Sequence, residues 1–356
     1  MECPPPLFFY TMKLKTLLMF TLLGLIGVST SMNATAQDNR LPRKVLVGTC
    51  VFPHYGEFPG IEVRLKEIEK LFDAMGEQRE EAYSGKSLDL MLLPEHAVTG
   101  GRRSGAKGLA EAKAMPWDGL IATFFAEQAR KHGSYIAVPM HEAREGKFYN
   151  SVILVDREGK RVGTYDKCFL AVDNSWDRLE GGITAGSEVP VFDCDFGRIG
   201  FQICYDISIS ETWKQLADAK VELVGWCTAS PQTILPQMKA VEHGYWVVSS
   251  TMRDNATVFQ PGTGFVHAQI VEENSVLVSE IDLSYLQFEW LSGLNNGDGF
   301  RERFGDRVGF LYKEREDGGL FWSNDPNMSI DQMAEALGLL EHADRRKRSR
   351  DLNPHW

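Results

Sequence analysis

Short apolar runs alternate with amphipathic stretches along most of the chain. Runs over 45–50, 88–93 and 135–138, bounded by Gly, Pro or charged residues, predict buried strands. Val63, Ile68, Leu71 and Phe72 recur at helical spacing and predict a helix over 62–75. A charged, Gly-containing stretch over 76–86 is expected to end it, and a second helix is expected over 120–132. Runs over 150–155 and 161–165 flank Arg157-Glu158-Gly159, a hairpin turn. Strands over 198–203, 221–226 and 246–251 follow, with helices over 211–219 and 237–244 between them. Runs over 264–270 and 275–281, around Glu272-Glu273-Asn274, predict a last hairpin. Ser329-Ile330-Asp331-Gln332 is a capping box that opens a C-terminal helix to about 341. Strands alternating with helices, interrupted by hairpins, imply an α/β layered fold with a mixed sheet.

The N-terminus has a different pattern. Lys13 and Lys15 precede an apolar stretch over 17–28, and Ala34-Thr35-Ala36 supplies a small-x-small cleavage pattern. Cleavage before Gln37 is expected, with Met12 as an alternative start. The stretch is shorter than the ~20 residues a spanning helix needs. Export to a periplasmic or extracellular location, without stable membrane insertion after cleavage, is therefore the expectation.

Composition narrows the function classes. Across 356 residues, 38 Lys and Arg stand against 49 Asp and Glu, a net charge of −11. That balance argues against nucleic acid as a partner, because phosphate binding needs clustered cations. Arg345, Arg346, Lys347, Arg348 and Arg350 form a basic cluster, read as a solvated tail. Of six cysteines, Cys3 leaves with the signal, and the odd remainder leaves a thiol unpaired unless pairing is intermolecular. His54, Glu57, His96, His132 and His141 show no HExxH or similar ligand spacing, so they read as loop or core residues and no metal is expected. No GxGxxG or P-loop sequence occurs, and no organic cofactor is expected either.

Three segments place reactive side chains at strand ends, where α/β folds collect their sites. Asp89-Leu-Met-Leu-Leu-Pro94-Glu95 runs an apolar strand into a carboxylate. Gly163-Thr-Tyr165-Asp166-Lys167 ends in an amine, and Ile199-Gly200-Phe-Gln-Ile203-Cys204-Tyr205-Asp206 ends in a thiol. A thiol, a carboxylate base and a cationic oxyanion partner are the parts of nucleophilic acyl transfer. With these blocks the chain resembles the nitrilase superfamily of carbon–nitrogen hydrolases, whose Glu-Lys-Cys residues sit in "LPE", "YxK" and "CYD" blocks. Tyr149-Asn150-Ser151, Asp156, Gly159, Gly163, Gly186, Val191-Phe192-Asp193 and Glu280-Ile281-Asp282 extend the likeness over about 44–282.

The resemblance implies a four-layer α-β-β-α sandwich with mixed sheets over a domain 37–315, between a signal peptide 1–36 and a C-terminal extension 316–356. It implies that Glu95, Lys167 and Cys204 are catalytic, with a second glutamate after the lysine. Glu180 fits that role best; Glu188 and Asp177 are the alternatives. Tyr205, through its backbone N–H, is expected to bind the substrate oxyanion. Tyr205-Asp206 after the nucleophile looks like the amidase and carbamoyl-hydrolase branches, since nitrilases usually carry Trp-Glu there. The expected reaction is hydrolysis of a small-molecule amide or carbamoyl compound through a Cys thioester. An N-acyltransferase of the same superfamily and a non-catalytic secreted binding protein are the alternatives. Relatives pair into dimers through the helix after the nucleophile, so a homodimer or higher homo-oligomer is expected, with Trp213, Leu216 and the segment 300–312 at its interface.

Overall fold

The computed structural model describes residues 41–103, 110–172, 179–273, 275–339 and 341–353. The signal segment, its cleavage site and Asp177 lie outside the described residues. Two six-stranded sheets carry the fold. The first has the order β12-β1-β2-β3-β4-β5. Its strands are β1 (Lys44–Cys50), β2 (Leu90–Leu92), β3 (Tyr135–Arg144), β4 (Lys147–Val155), β5 (Arg161–Asp166) and β12 (Val276–Asp282). The second has the order β11-β10-β9-β8-β7-β6. It is built from β6 (Phe192–Cys194), β7 (Gly197–Ile203), β8 (Leu223–Cys227), β9 (Trp246–Ser250), β10 (Ala256–Phe259) and β11 (Val266–Ile270). Both are mixed, with parallel strands at the centre and antiparallel pairs outside.

Alternation along the strands produces the layers. Val45 and Val47 of β1 and Leu90 and Leu92 of β2 point inward to Ile199, Phe201, Leu223 and Val248 of the second sheet. Leu46 and Met91, one residue out of phase, face outward onto α1 (Ile61–Tyr83) and α3 (Gly119–His132). Val224 and Trp226 likewise face α4 (Ser210–Asp218) and α5 (Ile234–His243). A side-chain period of two buries both faces of each sheet, giving the expected α-β-β-α sandwich.

Three expectations fail. The helix over 62–75 continues through Gly76 to Tyr83, and the glycine sits where α3 packs closely: a Cβ there would lie 3.1 Å from His132 Nδ1. The segments 264–270 and 275–281 are strands but not a hairpin, since β11 pairs with β10 and β12 with β1, in different sheets. Trp213 and Leu216 are wholly buried against Val224 and Trp226, so they are core residues of one chain rather than an interface face.

A third sheet, absent from the sequence reading, follows β12. It has the order β13-β15-β14, from β13 (Tyr285–Glu289), β14 (Val308–Lys313) and β15 (Gly318–Ser323). Its strands lie on both sides of the boundary expected at 315/316. Phe300 and Phe304 of α6 (Asp298–Phe304) pack on Phe288 and Phe321 of this sheet, which places two aromatics of the segment 300–312 in the protein's own core. The capping box opens α7 (Ile330–Ala336), with Ser329 and Gln332 bonded reciprocally. The helix stops short of the expected 341, before Gly338 at a φ of 67°, and the basic cluster lies on a separate helix, α8 (His342–Leu352). Among the described residues no helix is long and apolar enough to cross a membrane.

Candidate active site

Glu95 stands three residues beyond the end of β2, where Pro94 closes the strand and Ala97 N–H turns back to Pro94 O. Lys167 follows β5, and its N–H donates to Asn150 O of β4, prolonging the ladder by one bond. The Lys167 carbonyl accepts from Gly186 N–H, and any side chain at Gly186 would collide with the Asp166 carbonyl. Cys204 is the first residue after β7, opening a 3₁₀ turn, Cys204–Ser208. Its carbonyl accepts from Trp226 Nε1 at 3.2 Å. Cys204, Glu180 and His96 all have left-handed backbones, with φ of 41°, 41° and 61°. Side-chain-bearing residues in this region store backbone strain, of order 1–3 kcal/mol each, where neighbours enforce it.

These turns bring the four predicted catalytic side chains together. Lys167 Nζ lies 3.0 Å from Glu95 Oε1 and also donates to Glu180 Oε1. Glu180 is held by its own loop, since Ala171 N–H donates to Oε1 at 3.0 Å. Glu95 and Lys167 both act electrostatically on the Cys204 thiol, and Thr228 and Ala229 lie beside the sulfur. Tyr205, the predicted substrate-binding residue, is exposed beside the buried cluster.

Electrostatics fix the resting protonation. Burial and the neighbouring Glu95 carboxylate push the Cys204 thiol up to about 12, against the opposing pull of Lys167. Burial also opposes ionisation of Glu95, but Lys167, Asn150 and the thiol outweigh it and hold the carboxyl below its ordinary range. Lys167 stays protonated because Glu95, Cys204 and Glu180 overcome its desolvation. The resting cluster is therefore a neutral thiol, an ionised carboxylate and an ammonium. Such a set is poised for one short proton transfer, from sulfur to Glu95, that creates the nucleophile.

A buried aspartate ties the nucleophile's turn to the lysine's strand. Asp206 accepts from Tyr165 Oη at 2.7 Å, Ile203 N at 2.9 Å and Phe169 N at 2.9 Å. Burial raises its carboxyl to about 6, against those three donors.

The carbon–nitrogen hydrolase family model matches residues 60–288. The chain belongs to that family. Among curated relatives of this family member, a probable hydrolase, YhcX, of Bacillus subtilis is 30% identical over 198 residues, 48% of this chain and 38% of that protein. An (R)-stereoselective amidase of a Pseudomonas species is 29% identical over 136 residues, 38% of this chain and 46% of the amidase. The chain thus spans less than half the length of these two relatives. Saccharomyces cerevisiae Nit3, a member of branch 10 of the nitrilase superfamily, superposes with a TM-score of 0.56 at 17% identity, covering 78% of this chain and 98% of Nit3. The C. elegans NitFhit protein gives 0.58 at 15% identity, over 84% and 98%. At these identities the two structures establish the shared fold.

Several residues around this hydrolase-family site escaped the sequence reading. Asn150 entered only as part of a flanking motif, yet its amide lies 2.9 Å from Glu95 Oε1. Thr228 and Ala229 carry no motif signal; the end of β8 brings them to the sulfur. The histidines divide by position. His54 places Nε2 3.1 Å from the Glu95 carbonyl, and His96 and His141 stack with ring centroids 4.0 Å apart, all on the Glu95 side of the site. His132 lies apart from them at the end of α3. Among the described residues no group of three or more His, Cys, Asp or Glu side chains is arranged to hold a metal ion.

Proposed function

We propose that the protein hydrolyses a non-peptide C–N bond, in a linear amide or a carbamoyl compound, through a thioester on Cys204. The ion-paired cluster of Glu95, Lys167 and Glu180, acting electrostatically on the neutral Cys204 thiol, carries this reading. Glu95 takes the Sγ proton as the sulfur attacks the carbonyl carbon, and the π pair moves onto oxygen. Lys167 and the Tyr205 N–H stabilise that oxyanion, a contribution of ~3–4 kcal/mol for a well-placed donor. Collapse restores the carbonyl and breaks the C–N bond, and the nitrogen leaves with the proton from Glu95. Water then attacks the thioester, giving its proton to Glu95 with Glu180 as a second carboxylate beside Lys167. The sulfur departs from the carbonyl carbon and is reprotonated, and a carboxylic acid is released. Tyr205-Asp206 after the nucleophile supports amide or carbamoyl substrates over nitriles. The signal-like N-terminus supports action after export.

A panel of linear amides and carbamoyl compounds, scored by ammonia release, tests the reading. At least one should be turned over, with an acyl adduct on the Cys204 peptide detectable by mass spectrometry after rapid quench. Cys204→Ala should abolish release. Turnover by Cys204→Ala at the wild-type rate overturns the mechanism.

A further inference from the structure

The side-chain amide of Asn150 has two N–H bonds but faces three acceptors. Its Nδ2 lies 2.9 Å from Glu95 Oε1, 3.2 Å from His96 Nε2 and 3.4 Å from Glu180 Oε2. Its Oδ1 is buried and meets no donor. Turning the amide over would aim that oxygen at Glu95 and Glu180, so the observed orientation is the one their charges enforce. The two shortest of these contacts, to Glu95 and His96, are the ones the two Asn150 hydrogens serve, and Glu180 Oε2 is the most distant of the three. This assignment requires an unprotonated Nε2 on His96.

We propose that His96 is a positioning residue for the thiol-activating step: its neutral ring holds the Asn150 amide on Glu95, and its protonation weakens Glu95 as a base. The inference rests on the reading above that Glu95 activates Cys204. His96 Nε2 lies 3.5 Å from Glu95 Oε1, so a proton placed there would add a cation and a third donor to that oxygen. Asn150 would lose its acceptor in the same event. An opposite charge at this range lowers a carboxyl pKa by ~1–3 units, and each unit is ~tenfold in basicity.

The surroundings of His96 favour the neutral ring near neutral pH and leave it reachable by protons. It faces His54 from the loop after β1, the stacked His141 of β3, Lys113 of α2 (Ala110–Lys113) and Lys167 after β5. Glu95 and Glu180 are the acidic groups near it, both engaged by Lys167. Burial and the nearby basic groups hold the imidazole well below its ordinary value. Its side chain nonetheless keeps 24% of its surface exposed beside a carboxylate with 3%. Residue 96 has a left-handed backbone, and its ring lies between the Glu95 carboxylate and His141.

Alkylation of Cys204 by iodoacetamide, followed on its own peptide by mass spectrometry, reads thiol activation without any amide substrate. His96→Gln retains an acceptor for Asn150 but does not titrate; His96→Phe retains neither property. Between pH 8 and pH 4 the wild-type rate should fall ~tenfold further than that of His96→Gln. At pH 7.5, His96→Gln should stay within ~threefold of wild type and His96→Phe should be slower by ~tenfold or more. A His96→Gln pH profile superimposable on wild type overturns the proposal, as does His96→Phe with the wild-type rate at pH 7.5. If the alkylation profiles behave as expected but no amide is turned over, the substrate reading fails and this one stands.

Discussion

The two large sheets match in strand number, and each runs strand ends into the site, yet they hold their functional groups by different means. The first supplies charge. Glu95 and Lys167 sit just past β2 and β5, with Glu180 arriving from the loop beyond, and each charged group is paired with another. The second sheet supplies a neutral thiol at the end of β7, on a left-handed turn whose supports are the Trp226 indole, the Asp206 carboxyl and backbone N–H groups. A buried ion cluster is stable only as a set, because removing one member leaves the others desolvated and unpaired. A neutral nucleophile on a rigid turn can lose its reactive atom at little cost to the fold.

The sharpest way to break this contrast is to remove one group from each side. Lys167→Met should lower the unfolding free energy by ~3–5 kcal/mol, since Glu95 and Glu180 are left facing each other without their cation. Activity should fall at least ~10²-fold with it. Cys204→Ala should abolish activity while changing stability by less than ~1 kcal/mol. Urea melts of the two variants check both halves. Equal destabilisation by the two substitutions would dissolve the distinction between the sheets.

A smaller effect is expected where the two sides meet. Asp206 joins the Cys204 turn to Tyr165 and Phe169, on either side of Lys167. Asp206→Asn turns one accepting oxygen into a donor against Ile203 N–H or Phe169 N–H, at a cost of ~1–3 kcal/mol for the orphaned group. The sign of its pH dependence follows from a carboxyl raised from 3.8 to about 6. Between those values the folded protein holds a proton that the unfolded chain releases, so Asp206 lowers stability as pH rises through that window. Stability curves from pH 3.5 to 7 should show this slope in wild type relative to Asp206→Asn. Parallel curves would mean that Asp206 does not titrate there.

What the sequence revealed follows the same division. Glu95, Lys167 and Cys204 were legible because each follows a predicted strand, so one local pattern marked both the strand and the reactive end. Glu180 required the family resemblance, since no local pattern marks it. Asn150 and His96 matter through contacts between β4 and the turn after β2, and such contacts have no signature along the chain. The false hairpin had a sound local basis: two apolar runs and a polar turn fit a hairpin whether or not the strands share a sheet. The third sheet left a signal in the alternation of Phe310 with Tyr312 and of Leu320 with Trp322, but it lay past the family-like region. In α1 a lone Gly76 within a charged stretch suggests a helix end, but one glycine costs a helix only ~1 kcal/mol and the helix runs on.

Gly76 also offers the smallest test, in the outer helical layer of the first sheet, away from the ion cluster. Inside a helix, Ala is favoured over Gly by ~1 kcal/mol, so Gly76→Ala should stabilise the protein by that amount if nothing else changes. The surroundings oppose it. A Cβ at Gly76 would lie 3.1 Å from His132 Nδ1 and 3.2 Å from Cε1, closer than carbon contacts comfortably allow. The His132 ring has limited room to yield, since it packs edge-on to Phe72 and places Nε2 3.3 Å from Asp73 Oδ1. Helix propensity and crowding should therefore offset each other, leaving the urea midpoint shifted by the equivalent of less than ~0.5 kcal/mol. Activity should be unchanged, because α1 supplies no group to the Glu95–Lys167 cluster. A gain of the full ~1 kcal/mol would show that α3 yields freely and that Gly76 is not needed for the α1–α3 approach.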